Sequence, residues 1–103
     1  MKQLIQVFLM LILMSASVYA DDFGDGLDAY KQKDYKTAFE KWKPLAEQGN
    51  AKAQNTLGVM YSKGQGVPQD DKEATKWWRL AAEQEFAPAQ YNLYQSTRNF
   101  TRR

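Results

Sequence analysis

The side chain that most often moves protons near neutral pH is histidine, and the usual thiol nucleophile and soft metal ligand is cysteine; this sequence contains neither. Thiol catalysis, serine–histidine catalysis and histidine-based zinc sites are therefore excluded by composition. No catalytic, cofactor-binding or metal-ligating residue is expected. What remains is the chemistry of contact, in which amides, hydroxyls, a lysine and aromatic rings meet another molecule. Lys52, Asn55, Val59 and Ser62 recur at helical spacing on the side opposite an apolar stripe. Tyr91 and Tyr94, with Gln95 beside them, stand on a later helical stretch at positions that do not align with its core. A small groove of amides, a hydroxyl, a lysine and one aromatic would follow, although plain solvation of a helix face is the simpler role for these residues.

The stretch from Asn50 to Gln84 must position them. Ala53, Leu57, Met60 and Tyr61 fall at i, i+4, i+7 and i+8, which places them on one face of a first helix. Ala74, Trp78, Ala81 and Ala82 do the same for a second, and Asp70 followed by Glu73 matches a capping box that starts it near Asp71. Between the two, Gly64 can adopt the left-handed conformation that ends a helix, and Pro68 stops the first helix from continuing. The chain reverses there. Such a hairpin keeps apolar sides that similar hairpins must cover.

Similar hairpins recur at an offset of 36 residues: Ala38 with Ala74, Trp42 with Trp78, Ala46-Glu47-Gln48 with Ala82-Glu83-Gln84, Ala53-Gln54 with Ala89-Gln90, and Leu57 with Leu93. The stretch LGVMYSKGQGVPQDDKEATKWWRLAAEQ resembles the Sel1-like repeat, a relative of the tetratricopeptide repeat. Leu57, Gly58, Tyr61, Gly64, Gly66, Val67, Asp70, Ala74, Trp78, Ala81 and Ala82 match that signature in register. Its final glycine is replaced by Glu85, and the resemblance extends over about Gly26 to Leu93. It implies an all-α fold, a short right-handed solenoid of antiparallel helix hairpins with about five helices, one full repeat over about 50–85 and partial repeats on either side.

Before the repeats, Met1 to Ala20 carries one lysine, an apolar run from Leu4 to Met14 broken only by Gln6, and Val18-Tyr19-Ala20 at the end. This reads as a secretory signal peptide cleaved after Ala20, since the run is shorter than the ~20 apolar residues a spanning helix needs. The mature chain would start at Asp21, leave the cytoplasm for the periplasm or exterior, and have no stable membrane insertion. Without Lys2 the charge balance is 13 basic to 12 acidic residues, too even to argue for nucleic acid. Charge is uneven along the chain, with Asp21, Asp22, Asp25 and Asp28 at one end and Arg98, Arg102 and Arg103 at the other. Two solvated ends or head-to-tail attraction would both account for this.

The flanking units are less regular. A first helix from Phe23 to Lys33 is expected to use Leu27, Ala29 and Tyr30, with Gly24 and Gly26 weakening its start, and the turn after it is shorter by about five residues than the GQGVPQ turn. The next helix, Tyr35 to Gln48, gathers Tyr35, Ala38, Phe39, Trp42, Leu45 and Ala46, with Asp34 as N-cap, Gly49 at its C-terminal end and a kink at Pro44. Trp77 lies beside the stripe of its helix, where it either covers the junction with the following helix or serves as an exposed aromatic anchor. After Gln84 the pattern decays. Ala87 to about Ser96 is expected as a capping helix within a domain spanning 21–96, and Thr97 to Arg103 as a mobile basic tail.

The family resemblance implies a non-enzymatic protein–protein interaction module, an adaptor or scaffold of the bacterial envelope or exterior. In related repeats the first helices of successive hairpins line the concave side, which is the role this assigns to Lys52, Asn55, Val59 and Ser62. The partner is a protein, or a second copy docked through the last helix with Tyr91 and Tyr94. Two alternatives remain open: a β-lactam-binding or -hydrolysing enzyme like cysteine-rich relatives, whose cysteine pairs this chain lacks, and a truncated piece of a longer repeat protein.

Overall fold

Three side-chain caps set where the helices of this chain begin. Asp34 accepts a hydrogen bond from Thr37 N at 3.3 Å, Asn50 from Ala53 N at 2.9 Å, and Asp70 from Lys72 N and Glu73 N at 3.0 and 3.1 Å. The structure, a computed structural model, describes residues 23–102, all of whose regular structure is helical. The five helices are α1 (residues 23–31), α2 (Tyr35–Glu47), α3 (Ala51–Lys63), α4 (Asp71–Glu83) and α5 (Ala87–Arg102). The expected signal peptide and its cleavage site lie outside the described residues, as does Arg103. No described helix is long and apolar enough to cross a membrane.

The helices form an all-α repeat solenoid. Gly64 ends α3 at φ 68°, ψ 43°, as the sequence predicts, and the helix is closed by Gln65 N donating to Met60 O at 2.9 Å. The capping box at α4 is only half formed. The N–H of Asp70 donates to Tyr61 O at 2.9 Å, so Glu73 has no donor to reach back to, and the turn is tied to α3 instead. Gly66 holds φ 76° with the main chain of Tyr35 so close that a Cβ would sit 2.5 Å from its oxygen, and Gln65 Oε1 accepts from Tyr30 Oη at 2.9 Å. The glycine-rich turn of the second hairpin is thereby seated on the first.

Two cores result. Ala38, Trp42, Leu45 and Ala46 of α2 meet Ala53, Leu57 and Met60 of α3 and Trp77 of α4. A smaller core joins Ala74, Trp78 and Ala81 of α4 to Ala89 of α5. Trp77 is therefore neither an exposed anchor nor a cover for the following helix: it is 7 % exposed and turned back into the preceding hairpin. The helix α4 lies between two cores, and adjacent tryptophans serve one each.

Each hairpin closes on the same device, a tryptophan laid across a glycine. Trp78 Nε1 donates to Asn55 O at 3.2 Å over Gly58, and Trp42 Nε1 donates to Phe23 O at 3.0 Å over Gly26. In α1 the inward positions are therefore Phe23, Gly26 and Tyr30, while Leu27 is 38 % exposed, against expectation. The helix α2 runs through Pro44 without interruption. The last helix also exceeds its expected end at Ser96, continuing to Arg102 where a mobile tail was predicted. Helix continues because nothing after Pro88 breaks it, and Thr97 and Thr101 fold their hydroxyls onto Tyr94 O and Arg98 O, each at 2.9 Å.

Candidate binding groove

The C-terminal half of α5 runs beyond its apolar contacts, since Ala89 is its only fully buried residue and Leu93 is half-buried. Beside it opens a groove of about 1050 Å³. Ser62 of α3 and Gln69 of the turn line one end; Asp71, Lys72, Thr75, Lys76, Trp78 and Arg79 of α4 form a wall; Asn92, Gln95, Ser96, Asn99 and Phe100 of α5 contribute to the opposite wall. Thr75 Oγ1 and Ser96 Oγ approach to 3.1 Å across it. Phe100 is 80 % exposed at its rim.

The residues singled out from sequence do not all converge here. Ser62 and Gln95 line the groove. Asn55 faces the following unit rather than open solvent: its Oδ1 accepts from Asn92 Nδ2 at 2.9 Å while its main-chain oxygen holds Trp78. Val59 packs against the Ala74–Trp78–Ala89 core. Lys52 is exposed but lies elsewhere, with Nζ 4.5 Å from the Phe23 ring centre. Tyr91 and Tyr94 are 64 % and 61 % exposed, and Tyr94 borders a second hollow of about 410 Å³ with Arg79, Leu93 and Thr97. The periodicity of α3 marks its stripe facing α2 and α4 but does not show that α5 covers part of the opposite side.

Charge around the groove is mostly basic. Asp71 is turned to the loop, where its Oδ1 accepts from Gln69 Nε2 at 2.9 Å. Lys76 lies 3.9 Å from Glu73 and 5.4 Å from the Trp77 ring centre. Lys72 and Arg79 make no ion pair among the described residues. Outside the groove, burial pushes the Tyr61 phenol upward, and the carboxylates of Glu73 and Asp70 push it the same way. Among the described residues no cluster of three metal-ligating side chains occurs.

Residues 51–86, the α3–α4 hairpin with its glycine turn, match the family model described as Sel1 repeat. The chain is a Sel1-like repeat protein. A Sel1 repeat protein from Oxalobacter formigenes, known from its crystal structure, superposes with a TM-score of 0.67 at 40 % identity, over 72 % of this chain and 30 % of that one. An exopolysaccharide production negative regulator from Rhizobium leguminosarum bv. viciae is 38 % identical over 68 residues, which is 66 % of this chain and 26 % of the regulator. This Sel1-like chain thus spans under a third of the length of either relative. Repeats of the family are protein-interaction modules. In this one the glutamines add a signal that sequence reasoning passed over. Gln54 and Gln90, one repeat apart, both donate to a carbonyl eight residues earlier, Ala46 O at 3.0 Å and Ala82 O at 3.4 Å.

Proposed function

We propose that the chain is a non-enzymatic protein-binding module, an adaptor or scaffold exported to the bacterial cell envelope or exterior, which engages its partner in the groove between α4 and α5. The groove of about 1050 Å³, walled by hydrogen-bonding side chains and rimmed by the exposed ring of Phe100, is the observation that carries this reading. It offers hydrogen-bonding groups set in a largely apolar lining, with an exposed aromatic ring at the rim, the combination that recognises a segment of another chain. Export rests on the signal-like pattern of residues 1–20. The regulator from Rhizobium is matched over only 26 % of its length, so its regulatory role is not carried over here; protein binding is supported by the Sel1 repeat itself.

The test is capture from envelope extract with the purified chain beside its Phe100→Ser and Asn99→Ala variants. Specific proteins held by the chain and released by either variant are expected; the same proteins held equally by all three would place the binding surface elsewhere. Intact mass of the exported product should begin at Asp21. Steady nitrocefin turnover above that of a Trp42→Ala control would overturn the non-enzymatic reading.

A further inference from the structure

We infer that the groove between α4 and α5 takes an extended acidic segment of a partner protein, its carboxylates held by Lys72 and Arg79 and its main chain by the carboxamides of α5. The inference rests on the groove being the binding surface. Lys72 and Arg79 are seven residues apart on one wall, and Asn92 and Asn99 are seven apart on the other, with Gln95 between. At 1.5 Å per helical residue each row spans about 10 Å, close to three residues of extended chain at about 3.3 Å each. Two acidic side chains two to four residues apart would therefore reach both cations. A carboxamide carries a donor and an acceptor together, which matches the N–H and C=O of an extended backbone.

Charge decides between possible occupants. Gln69 is neutral, so the Asp71 carboxylate that it hydrogen-bonds keeps its charge, but Lys72, Lys76 and Arg79 outnumber it in the lining. Lys76 is drawn to Glu73 and the Trp77 ring, which leaves Lys72 and Arg79 as the cations without an ion pair among the described residues. Arg98 and Arg102 add positive charge on the same helix end. A second copy meeting the groove through its own α5 would bring these arginines against Lys72 and Arg79, and like charges brought together at an interface are unfavourable. Two free cations are few for a nucleic acid, whose binding draws on many phosphate contacts, whereas amides facing an extended main chain suit a protein segment. Phe100 at the rim supplies the apolar contact.

Fluorescence anisotropy with a labelled Gly/Ser dodecapeptide carrying two glutamates three residues apart tests this, against the same peptide with glutamines. The glutamate peptide should bind, with affinity falling as salt rises from about 50 to 200 mM because the Debye length shortens. The glutamine peptide should bind at least tenfold more weakly. The Lys72→Glu/Arg79→Glu variant should lose at least tenfold for the glutamate peptide, and Tyr91→Ser/Tyr94→Ser should bind as the parent does. All four altered side chains are exposed, so circular dichroism should show unchanged folding. If both peptides bind alike and both weaken with Phe100→Ser, the acidic specificity is wrong while the groove remains the binding surface. No binding of the glutamate peptide at millimolar concentration overturns the inference. So does tighter binding of a single-stranded oligonucleotide of equal charge, or a dimer in sedimentation that the charge reversal abolishes.

Discussion

Replacing Gly58 by alanine sets helix propensity against packing, and the two predict opposite signs. In a helix interior alanine is favoured over glycine by roughly 1 kcal/mol. A Cβ at position 58, however, would stand 2.4 Å from Trp78 Nε1 and 2.5 Å from its Cδ1, where ordinary contact needs a further ångström or so. The indole cannot yield cheaply, because its Nε1 is bonded to Asn55 O at 3.2 Å and the ring is 7 % exposed. Overpacking of this kind costs about 1–3 kcal/mol, and the strained or lost indole bond about 0.5–1.5 kcal/mol more. After the propensity gain, Gly58→Ala should destabilise by about 1–3 kcal/mol, a large share of the roughly 5 kcal/mol available to a core this small. In urea unfolding followed by helical circular dichroism the midpoint should fall with the slope unchanged. Gly26→Ala should behave alike, since its Cβ would lie 2.5 Å from Trp42 Nε1. A Gly58→Ala protein as stable as the parent, or more stable, would refute the tryptophan-over-glycine account.

Glu85 holds φ 62° at the site where the preceding unit has Gly49 at φ 99°. Left-handed backbone costs a residue with a Cβ about 1–2 kcal/mol, and glycine restores roughly half of that after its own entropy, so Glu85→Gly should raise the melting temperature by a few degrees. Trp77 Nε1 is buried without a hydrogen-bond partner, unlike the indoles of Trp42 and Trp78. Trp77→Phe should therefore destabilise less than Trp78→Phe by about 1 kcal/mol, the worth of one hydrogen bond, in matched thermal melts. The raised Tyr61 pKa contributes stability that is fully present below its ordinary value of 10.0 and lost as pH rises through the folded value. The gap in melting temperature between the parent and Tyr61→Phe should thus stay level to about pH 9 and shift against the parent above pH 10.

Local signals with a physical mechanism could be read in advance. Asp34, Asn50 and Asp70 cap helices because a short oxygen-bearing side chain reaches the free N–H groups of a first turn, and Gly64 ends one because it tolerates positive φ. The 36-residue offset made the stacking legible through Trp42 and Trp78. What escaped depends on which neighbour arrives. Gly26 looks like a weak helix start until Trp42 is known to lie across it, and the same contact turns Leu27 outward. Trp77 breaks the single-stripe pattern because α4 has a core on either side, a condition that one helix's periodicity does not encode. Among the residues singled out from sequence, Ser62 and Gln95 line the groove, whereas Asn55 and Val59 lie where α5 reaches them. Glu85 departs from the repeat signature, yet its backbone keeps the left-handed conformation that Gly49 has one repeat earlier.

Similar hairpins could stack in more than one register, and apolar faces alone discriminate poorly among them. Gln54 supplies a polar criterion. It is 5 % exposed, donates from Nε2 to Ala46 O at 3.0 Å, and accepts at Oε1 from Gln84 Nε2, which also lies 2.9 Å from Gly49 O. The ends of α2 and α4 are thus joined through one amide in α3. Substituting leucine removes two of these bonds, but Ala46 O retains the N–H of Gly49 at 3.1 Å and Gln84 is exposed enough to turn to water. Neither partner is stranded, and burying leucine recovers part of the loss. Gln54→Leu should therefore destabilise by only about 1 kcal/mol, within the range of a single net hydrogen bond. The larger effect should fall on uniqueness: amide protection at Gly49 and Gln84 should drop by more than the global change, because the joint between hairpins loosens before the hairpins do. A loss of 3 kcal/mol or more with uniform loss of protection would mean that the amide holds the core itself rather than the register of its stacking.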